Sequence, residues 1–212
     1  MSIGILALQG GFREHAAHLR DCGVAPIFVK TRADLSGCTG LIIPGGESSA
    51  LRRLMAYDGL DAAVAEGVKR GSLCVWGTCA GAILCAAEVL GESPCLGVIE
   101  VSIERNVFGS QLDSFMEDAE VSAIGPGVMR LVYIRAPGIR RVWGQTRVLH
   151  RHGDVVTAAE NARVLVTSFH PELSPTLAFH RYFVAKCGLR FSETGGEGWE
   201  FTRWMTRGGL LS

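Results

Sequence analysis

The chain has 212 residues, of which 48% are hydrophobic and 20% are charged, a composition that suits one α/β domain with a large buried core. Its 21 basic and 21 acidic residues balance, so no basic field attracts nucleic acid or an anionic membrane. No apolar run reaches the length of a membrane span, and no basic region precedes the first apolar residues as in a signal peptide. We therefore expect a small-molecule or protein partner.

The cysteine pattern indicates free thiols. The seven cysteines are odd in number, and no two of them form a Cys-x-x-Cys pair. This spacing argues against a disulfide framework and against a zinc knuckle. We expect a cytoplasmic protein without a disulfide framework and without a zinc knuckle.

Short apolar runs alternate with helical patterns at the start of the chain. Residues 3–8 and 25–29 are predicted strands. Between them, Phe12, Ala16 and Leu19 recur at the spacing of one helix face. This order of strand, helix and strand is typical of an α/β fold.

A Pro-Gly-Gly turn follows the third predicted strand, residues 41–43. Backbone N–H groups at Gly45 and Gly46 can stabilise an oxyanion if the turn lies beside a nucleophile. Taken alone, the same motif is equally compatible with an ordinary tight turn. Ser48 or Ser49 is expected to cap the helix that follows.

Cys79 lies between the fourth predicted strand, residues 73–76, and an alanine-rich helical run at 82–87. Strand, turn and helix form the elbow on which α/β enzymes expose a nucleophile, and the flanking Gly77 and Gly81 let the backbone bend. The N-terminus of the next helix favours a thiolate. A buried structural cysteine is the other interpretation of this motif.

After residue 91 the sequence pattern changes to short runs of alternating apolar and polar residues separated by turn residues. This pattern indicates an antiparallel or mixed extension of the sheet. The predicted strands there include residues 98–101, 130–134, 155–158 and 163–169. A helix over about 176–186 closes the core.

His170 and Glu172 follow the last predicted strand. Cysteine-dependent acyl transfer needs a histidine that takes the thiol proton and a carboxylate that orients the histidine. Both side chains face one cleft if Pro171 holds the turn extended. A helix-capping or core histidine is the alternative for His170 alone.

These elements predict a three-layer α/β/α sandwich with a mixed, mostly parallel central sheet. In open α/β sheets the chemistry lies at the carboxyl ends of strands, and Gly46, Cys79 and His170 all follow such ends. We expect the domain to cover residues 1–188. Residues 189–212, which include Trp199, Phe201 and Trp204, are predicted to form a glycine-rich extension that is flexible or loosely docked, with a specific interface element as the alternative.

Three motifs together resemble the class I, triad-type glutamine amidotransferases: Pro-Gly-Gly-Glu-Ser at 44–48, Gly-Thr-Cys-Ala-Gly at 77–81 and Ser-Phe-His-Pro-Glu at 168–172. Further segments are similar to the glutaminase subunits of pyridoxal 5′-phosphate synthase. These segments are residues 8–11, 13–15, 104–109, 113–115 and 133–137. The resemblance spans residues 3–186.

The resemblance implies a flavodoxin-like fold and hydrolysis of L-glutamine to glutamate and ammonia, with no cofactor and no metal. By this resemblance Cys79 is the nucleophile that forms a γ-glutamyl thioester, His170 is the general acid and base, and Glu172 orients His170. The implied L-glutamine site consists of Gly46, Glu47, Ser48, Arg105, Ile134 and Arg135. The oxyanion donors are expected at Gly46 and Ala80.

The resemblance also implies a partner. In the family, ammonia passes to a separate (β/α)8-barrel synthase subunit that builds pyridoxal 5′-phosphate, and the glutaminase is nearly silent alone. Residues 9–11 and the helix at 12–21 are similar to the partner-facing segment, although an ordinary first βα unit is the alternative. We expect the loop at Gly45 and Gly46 to be set correctly only in the complex.

Three other functions compete. A glutaminase subunit for another acceptor, such as imidazole glycerol phosphate synthesis, would use the same triad, but residues 104–115 and 133–137 argue against it. A non-catalytic subunit of the same fold would be expected to lack a triad residue. A cysteine hydrolase or chaperone-like relative would not need Arg105 and Arg135.

Overall fold

The computed structural model describes residues 2–108 and 114–191. Within these ranges the chain forms twelve strands and five α-helices. The strands are β1 (Ser2–Leu6), β2 (Ile27–Val29), β3 (Cys38–Ile43), β4 (Cys74–Thr78), β5 (Ala86–Val89), β6 (Ile99–Glu104), β7 (Ser114–Glu120), β8 (Val128–Ile134), β9 (Gly138–Val142), β10 (Arg147–His152), β11 (Val155–Glu160) and β12 (Val164–Thr167). The helices are α1 (Phe12–Asp21), α2 (Ser48–Ala56), α3 (Leu60–Lys69), α4 (Ala80–Cys85) and α5 (Ala178–Lys186), with 3₁₀ turns at Ala33–Leu35 and Pro171–Leu173.

The central sheet is mixed and has two parts. Among the described residues its strand order is β2-β1-β3-β4-β12-β11-β9-β6-β5, with β10 paired to β11, while β7 and β8 form a separate antiparallel pair. Strands β2, β1, β3, β4 and β12 run parallel. Strand β11 is antiparallel to β12 and β9, and β6 is antiparallel to β9. The predicted α/β fold with an antiparallel extension is confirmed.

Helices cover both faces of the parallel part. On β3, Leu41 and Ile43 point into the core beneath α2, α3 and α4, where Leu51 packs. Ile42, between them, points into the second core beneath α1 and α5, where Leu19 packs. This alternation follows from the two-residue period of a strand that is buried on both faces. The three layers match the predicted sandwich.

The second half of the chain departs from the predicted elements in several places. The run predicted as a helix over 82–87 ends at Cys85, and Ala86 begins β5 with an extended backbone (ψ 142°). Every residue of α4 is buried, and an apolar run buried on all sides carries no periodicity that separates helix from strand. Strand β7 was not predicted, because none of its seven residues is buried and its sequence therefore lacks the apolar run of a core strand.

Some predictions fall on residues that the structure does not describe. Residues 109–113 and 192–212 lie outside the described ranges, and with them Trp199, Phe201 and Trp204 of the C-terminal extension. The division at residue 188 therefore stays a prediction. No helix among the described residues has the length and apolar character needed to cross a membrane.

Candidate active site

The turn between β4 and α4 presents Cys79 in a strained backbone conformation. Cys79 has φ 47° and ψ −104°, in the region that residues with a Cβ rarely occupy. A Cβ added at Gly77 would lie 2.4 Å from the Gly81 oxygen, and one at Gly81 would lie 2.0 Å from the Ile43 oxygen. The two glycines are therefore needed for close backbone approach. The positive φ falls on Cys79 itself, and the two glycines let the backbone bend around it without a Cβ clash, as predicted.

His170 and Glu172 form a hydrogen-bonded pair at the end of β12. His170 Nδ1 lies 2.8 Å from Glu172 Oε1. Residues Pro171–Leu173 form a 3₁₀ turn rather than the predicted extended turn, and this turn buries the Glu172 carboxylate to 1% exposure. The glutamate consequently lies behind the imidazole and does not face the cleft, which corrects the expected geometry.

Gly45 brings the loop after β3 against both catalytic candidates. A Cβ added there would lie 2.3 Å from His170 Cε1 and 3.3 Å from Cys79 Cβ. No side chain fits in that space unless the imidazole moves. The three motifs that the sequence placed at separate strand ends thus meet at one point of the sheet.

Burial and charge act in opposite directions on the histidine. Burial favours the neutral imidazole, but the charges of Glu172 and Cys79 outweigh it and raise the pKa of His170 well above its ordinary value. Burial likewise disfavours the Glu172 carboxylate, yet the adjacent His15 and His170 lower the pKa of Glu172 to about 2. Both shifts favour the charge state in which a carboxylate holds an imidazolium that can deliver a proton.

The N-terminal segment holds the loop after β3. The Gly11 N–H donates to the Gly45 oxygen over 3.1 Å, and the Glu47 N–H donates to Gln9 Oε1 over 2.9 Å. A Cβ on Gly10, whose φ is +96°, would lie 1.8 Å from the Gly45 oxygen. The sequence assigned Gln9 only to a partner-facing segment. The structure places its side chain on the candidate oxyanion loop.

Glu47 caps helix α2. Its carboxylate accepts hydrogen bonds from the N–H groups of Ser49 at 3.3 Å and Ala50 at 2.8 Å. These two backbone donors lower the pKa of Glu47. The prediction that Ser48 or Ser49 caps the helix is wrong, because the helix begins at Ser48 and the cap lies one residue earlier.

A cavity of about 370 Å³ opens between the parallel and antiparallel parts of the sheet. Its lining includes both candidate reacting side chains, Cys79 and His170, and every residue predicted for L-glutamine or the oxyanion. Those predicted residues are Gly46, Glu47, Ser48, Ala80, Arg105, Ile134 and Arg135. A larger recess of about 1120 Å³ near residues 32–38 contains Cys38 but no histidine.

Backbone strain concentrates in the lining of this cavity. Among the described non-glycine residues, those with positive φ are Cys79, Asn106 at 50° and Arg135 at 42°. All three line the cavity. Strained φ values cluster at functional sites because the surrounding structure must hold them. Asn106 carried no predicted role, and its strain has no signature in the sequence.

Arg105 lines the cavity rim and already has a partner. Its guanidinium pairs with Glu92 through Nε, and its Nη2 donates to Glu92 Oε2 over 3.2 Å. Both side chains are one-third exposed, so the pair competes with water.

Among the described residues, no group of three or more His, Cys, Asp or Glu side chains is arranged to hold a metal ion.

Residues 5–189 match the model of the SNO glutamine amidotransferase family. The chain belongs to this family. It is 50% identical over 188 residues to the pyridoxal 5′-phosphate synthase subunit PdxT of Syntrophus aciditrophicus, covering 89% of this chain and 84% of that protein. It is 46% identical over 189 residues to a PdxT subunit of Thermus thermophilus, covering 88% of this chain and 98% of that protein. The family predicted from the motifs is confirmed.

Solved structures give the same result for the fold. A crystal structure of a glutamine amidotransferase superposes with a TM-score of 0.85 at 43% identity, covering 89% of this chain and all of that one. A putative GMP synthase component from Thermoplasma acidophilum reaches a TM-score of 0.65 at 16% identity, covering 89% of this chain and 94% of that one. The second likeness concerns the fold alone. The amidotransferase-like fold class is confirmed.

Proposed function

We propose that this chain hydrolyses L-glutamine through a Cys79–His170–Glu172 triad and delivers the ammonia to a pyridoxal 5′-phosphate synthase. The observation that carries the chemistry is the meeting of Cys79, His170 and the Gly45 loop beside one cavity, with Glu172 buried behind the imidazole. Family membership and the PdxT relatives support the pathway. Each triad residue has a separate role.

In the first step His170 takes the proton of the Cys79 thiol, and the sulfur attacks the γ-carbonyl carbon of glutamine, forming a C–S bond. The N–H groups of Gly46 and Ala80, which both border the cavity, stabilise the oxyanion. His170 then gives its proton to the amide nitrogen, the C–N bond breaks, and ammonia leaves a γ-glutamyl thioester. The raised pKa of His170 supports this role, because the imidazole carries the proton that the leaving group needs.

In the second step water resolves the thioester. His170, now neutral, takes a proton from water as the water oxygen attacks the carbonyl carbon. The C–S bond breaks, glutamate leaves, and Cys79 and His170 return to their starting charges. Glu172 holds the imidazole through Nδ1 in both steps, which leaves Nε2 as the ring nitrogen that exchanges protons with Cys79, the amide and water.

Arg105 is the candidate that holds the α-carboxylate of glutamine. A guanidinium binds a carboxylate through charge-assisted hydrogen bonds. Glu92 already accepts hydrogen bonds from the Arg105 guanidinium, so the orientation of the arginine is fixed before glutamine binds. The cavity volume lies at the small end of ligand sites, in keeping with a single amino acid.

A (β/α)8-barrel synthase subunit is the proposed partner. Gln9, Gly10 and Gly11 contact the loop that carries Gly45 and Gly46, so a protein bound at this segment acts directly on the oxyanion site. This contact supports partner-dependent activity. All seven cysteines belong to the described residues and all are free, which supports a reducing, cytoplasmic location.

The test is glutamate release from L-glutamine, measured with and without the barrel synthase subunit. We expect the synthase subunit to raise turnover of the wild type, and Cys79→Ala to abolish it in both conditions. Cys95→Ala, which removes a half-buried thiol outside the cavity, is the matched control. Turnover that ignores the synthase would assign the ammonia to another acceptor. The absence of turnover in both conditions would contradict the proposal.

A further inference from the structure

The β7–β8 pair reaches the candidate active site without joining the central sheet. Among the described residues these two strands form a sheet of their own. The Val132 oxygen on β8 nevertheless accepts a hydrogen bond from the His170 N–H over 2.8 Å, and the Ile134 oxygen lies 3.9 Å from Cys79 Sγ. Ile134 and the next residue, Arg135, both line the cavity. The position of β8 therefore affects the candidate reacting groups and the cavity wall together.

Tyr133 links this strand to its surroundings. Its side chain is buried, with 1% exposure. Phe115 on β7 stacks on the phenol ring at 4.4 Å between centroids, and Phe169 after β12 meets it edge to face at 5.5 Å. The hydroxyl lies 3.2 Å from Glu117 Oε2 on β7 and 3.3 Å from Thr157 Oγ1 on β11. One side chain thus joins β8 to its own partner strand and to the central sheet.

The chemistry of the neighbours sets the direction of these hydrogen bonds. An ionised carboxylate only accepts, so the Tyr133 O–H donates to Glu117. Burial and the charge of Glu117 raise the pKa of Tyr133, so the hydroxyl keeps the proton that it donates. The Tyr133 oxygen then accepts from the Thr157 hydroxyl, whose own oxygen lies 2.7 Å from His150 Nδ1. The hydroxyl therefore has one partner on each side.

Hydrogen bonds fix a position more narrowly than stacked rings do. Aromatic pairs are favourable over centroid distances of about 4.5–7 Å, so the contacts with Phe115 and Phe169 tolerate displacement of β8. A hydrogen bond weakens steeply when its length or angle departs from the preferred range. Glu117 is itself held from a second side, because His152 Nδ1 on β10 lies 3.1 Å from its Oε2. The polar contacts consequently determine where β8 lies.

We propose that Tyr133, held by Glu117 and Thr157, is a positioning residue for the L-glutamine site. Neither Tyr133 nor Glu117 lines the cavity, so both act through Ile134 and Arg135, which follow Tyr133 in the chain and do line it. The inference rests on the proposed function and adds to it the side chains that hold the cavity wall in place.

Steady-state kinetics of Tyr133→Phe, with the synthase subunit present, separate positioning from packing. This variant keeps the ring and loses only the hydroxyl. We expect KM for glutamine to rise roughly 3- to 10-fold, the change that corresponds to one lost hydrogen bond, with kcat within about twofold of the wild type. A hydroxyl that only stabilises the fold would lower the melting temperature and leave KM unchanged. Wild-type KM in a folded Tyr133→Phe variant overturns the proposal.

Two substitutions of Glu117 test its role as the acceptor. Glu117→Gln keeps an oxygen that can accept from Tyr133, so its KM is expected to stay near that of the wild type. Glu117→Leu has no acceptor and is expected to raise KM as Tyr133→Phe does. The double variant of Tyr133→Phe and Glu117→Leu should raise KM no further, because both changes remove the same hydrogen bond. Equal KM values in the Gln and Leu variants would overturn the proposal.

Asp118→Leu is the matched control. Asp118 is the next residue on β7, but it is exposed and pairs with Arg130 at the surface. This variant removes a carboxylate from the same strand without touching Tyr133, so KM should not change. A rise in KM equal to that of Glu117→Leu would show that any disturbance of β7 has the same effect, and it would overturn the proposal.

Amide hydrogen exchange at His170 tests the same idea without turnover. The His170 N–H is bonded to the Val132 oxygen, so it reports how closely β8 is held. We expect exchange at this amide to be roughly 3- to 10-fold faster in Tyr133→Phe than in the wild type or in Asp118→Leu. Unchanged exchange overturns the proposal. If the wild type releases no glutamate but Tyr133→Phe shows faster exchange, the proposed function fails while the positioning of β8 by Tyr133 stands.

Discussion

The parallel and antiparallel parts of the sheet contribute different things to the cavity. The parallel part supplies the groups that we propose react: Cys79 follows β4, His170 follows β12, and the Gly45 loop follows β3. The antiparallel part and the β7–β8 pair supply the proposed recognition residues, with Arg105 after β6 and Ile134 at the end of β8. Of the proposed reacting groups, Cys79 is 8% and His170 is 12% exposed, and both are fixed by steric fit against Gly45, whereas Arg105 is one-third exposed and held by an ion pair.

This contrast has a physical reason. Proton transfer and attack tolerate little displacement, so the reacting groups are placed where packing leaves no alternative. A charged substrate enters the cavity from water and its product returns to water. The residue proposed to bind it therefore lies at the solvent-exposed rim of the cavity. Changes in the parallel part should therefore reduce kcat, and changes in the antiparallel part should raise KM.

The largest effect is expected from Glu172→Gln. A neutral amide does not stabilise the imidazolium, and loss of the equivalent carboxylate in a Ser-His-Asp triad costs about 10⁴-fold in kcat. Because Glu172 raises the pKa of His170, its loss lowers that pKa and moves the alkaline limb of the pH–rate profile to lower pH. Glu160→Gln, which changes another buried carboxylate, should not move that limb. An unmoved limb in Glu172→Gln would contradict the proposed triad.

Gly45→Ala should have the next largest effect. The added methyl group would lie 2.3 Å from His170 Cε1, so the imidazole must shift, and we expect kcat to fall roughly 100-fold. Gly125→Ala is the control, because its nearest neighbour is Met129 Cε at 3.8 Å. Steady-state kinetics of both variants check the prediction. Wild-type kcat in Gly45→Ala would show that the loop tolerates displacement.

Arg105→Met tests the recognition half of the contrast. Removing a charge-assisted hydrogen bond to the substrate carboxylate should raise KM for glutamine by roughly 10- to 100-fold, with little change in kcat at saturation. Arg130→Met removes a comparable ion pair, with Asp118, outside the cavity and should leave KM unchanged. A fall in kcat without a change in KM would place Arg105 in the chemical step instead.

The smallest effect is expected from Glu92→Gln. The amide oxygen still accepts a hydrogen bond from Arg105, and a partly exposed ion pair contributes about 0–1 kcal/mol. KM should therefore change by no more than about fivefold, since RT ln 5 is close to 1 kcal/mol. A far larger rise in KM would mean that Glu92 sets the arginine geometry more strongly than its exposure indicates.

Sequence alone predicted that the three candidate motifs lie together, because each follows a short apolar strand. Cys79, His170 and the Gly45 loop needed only the rule that parallel strands end at a common edge. The family resemblance then supplied Arg105 and Arg135, which have no such local signature. Sequence motifs were sufficient where the residues that decide the structure lie next to one another in the chain.

The features that the sequence did not predict depend mostly on contacts between segments that are distant in the chain. His15 and His180 are 165 residues apart in sequence, and no local pattern pairs them. The burial of Glu172 required the 3₁₀ turn, which an extended interpretation of Pro171 missed. The Glu47 cap was missed because the standard residue preferences favoured the serine that follows it.

The most direct test of Cys79 as the nucleophile is mass spectrometry of the protein quenched in acid during turnover of L-glutamine, with the synthase subunit present. We expect one γ-glutamyl group on the peptide that contains Cys79, in the wild type and in Arg105→Met at saturating glutamine. Cys79→Ala should carry no such group. A γ-glutamyl group on another cysteine, or turnover in Cys79→Ala, would contradict the assignment.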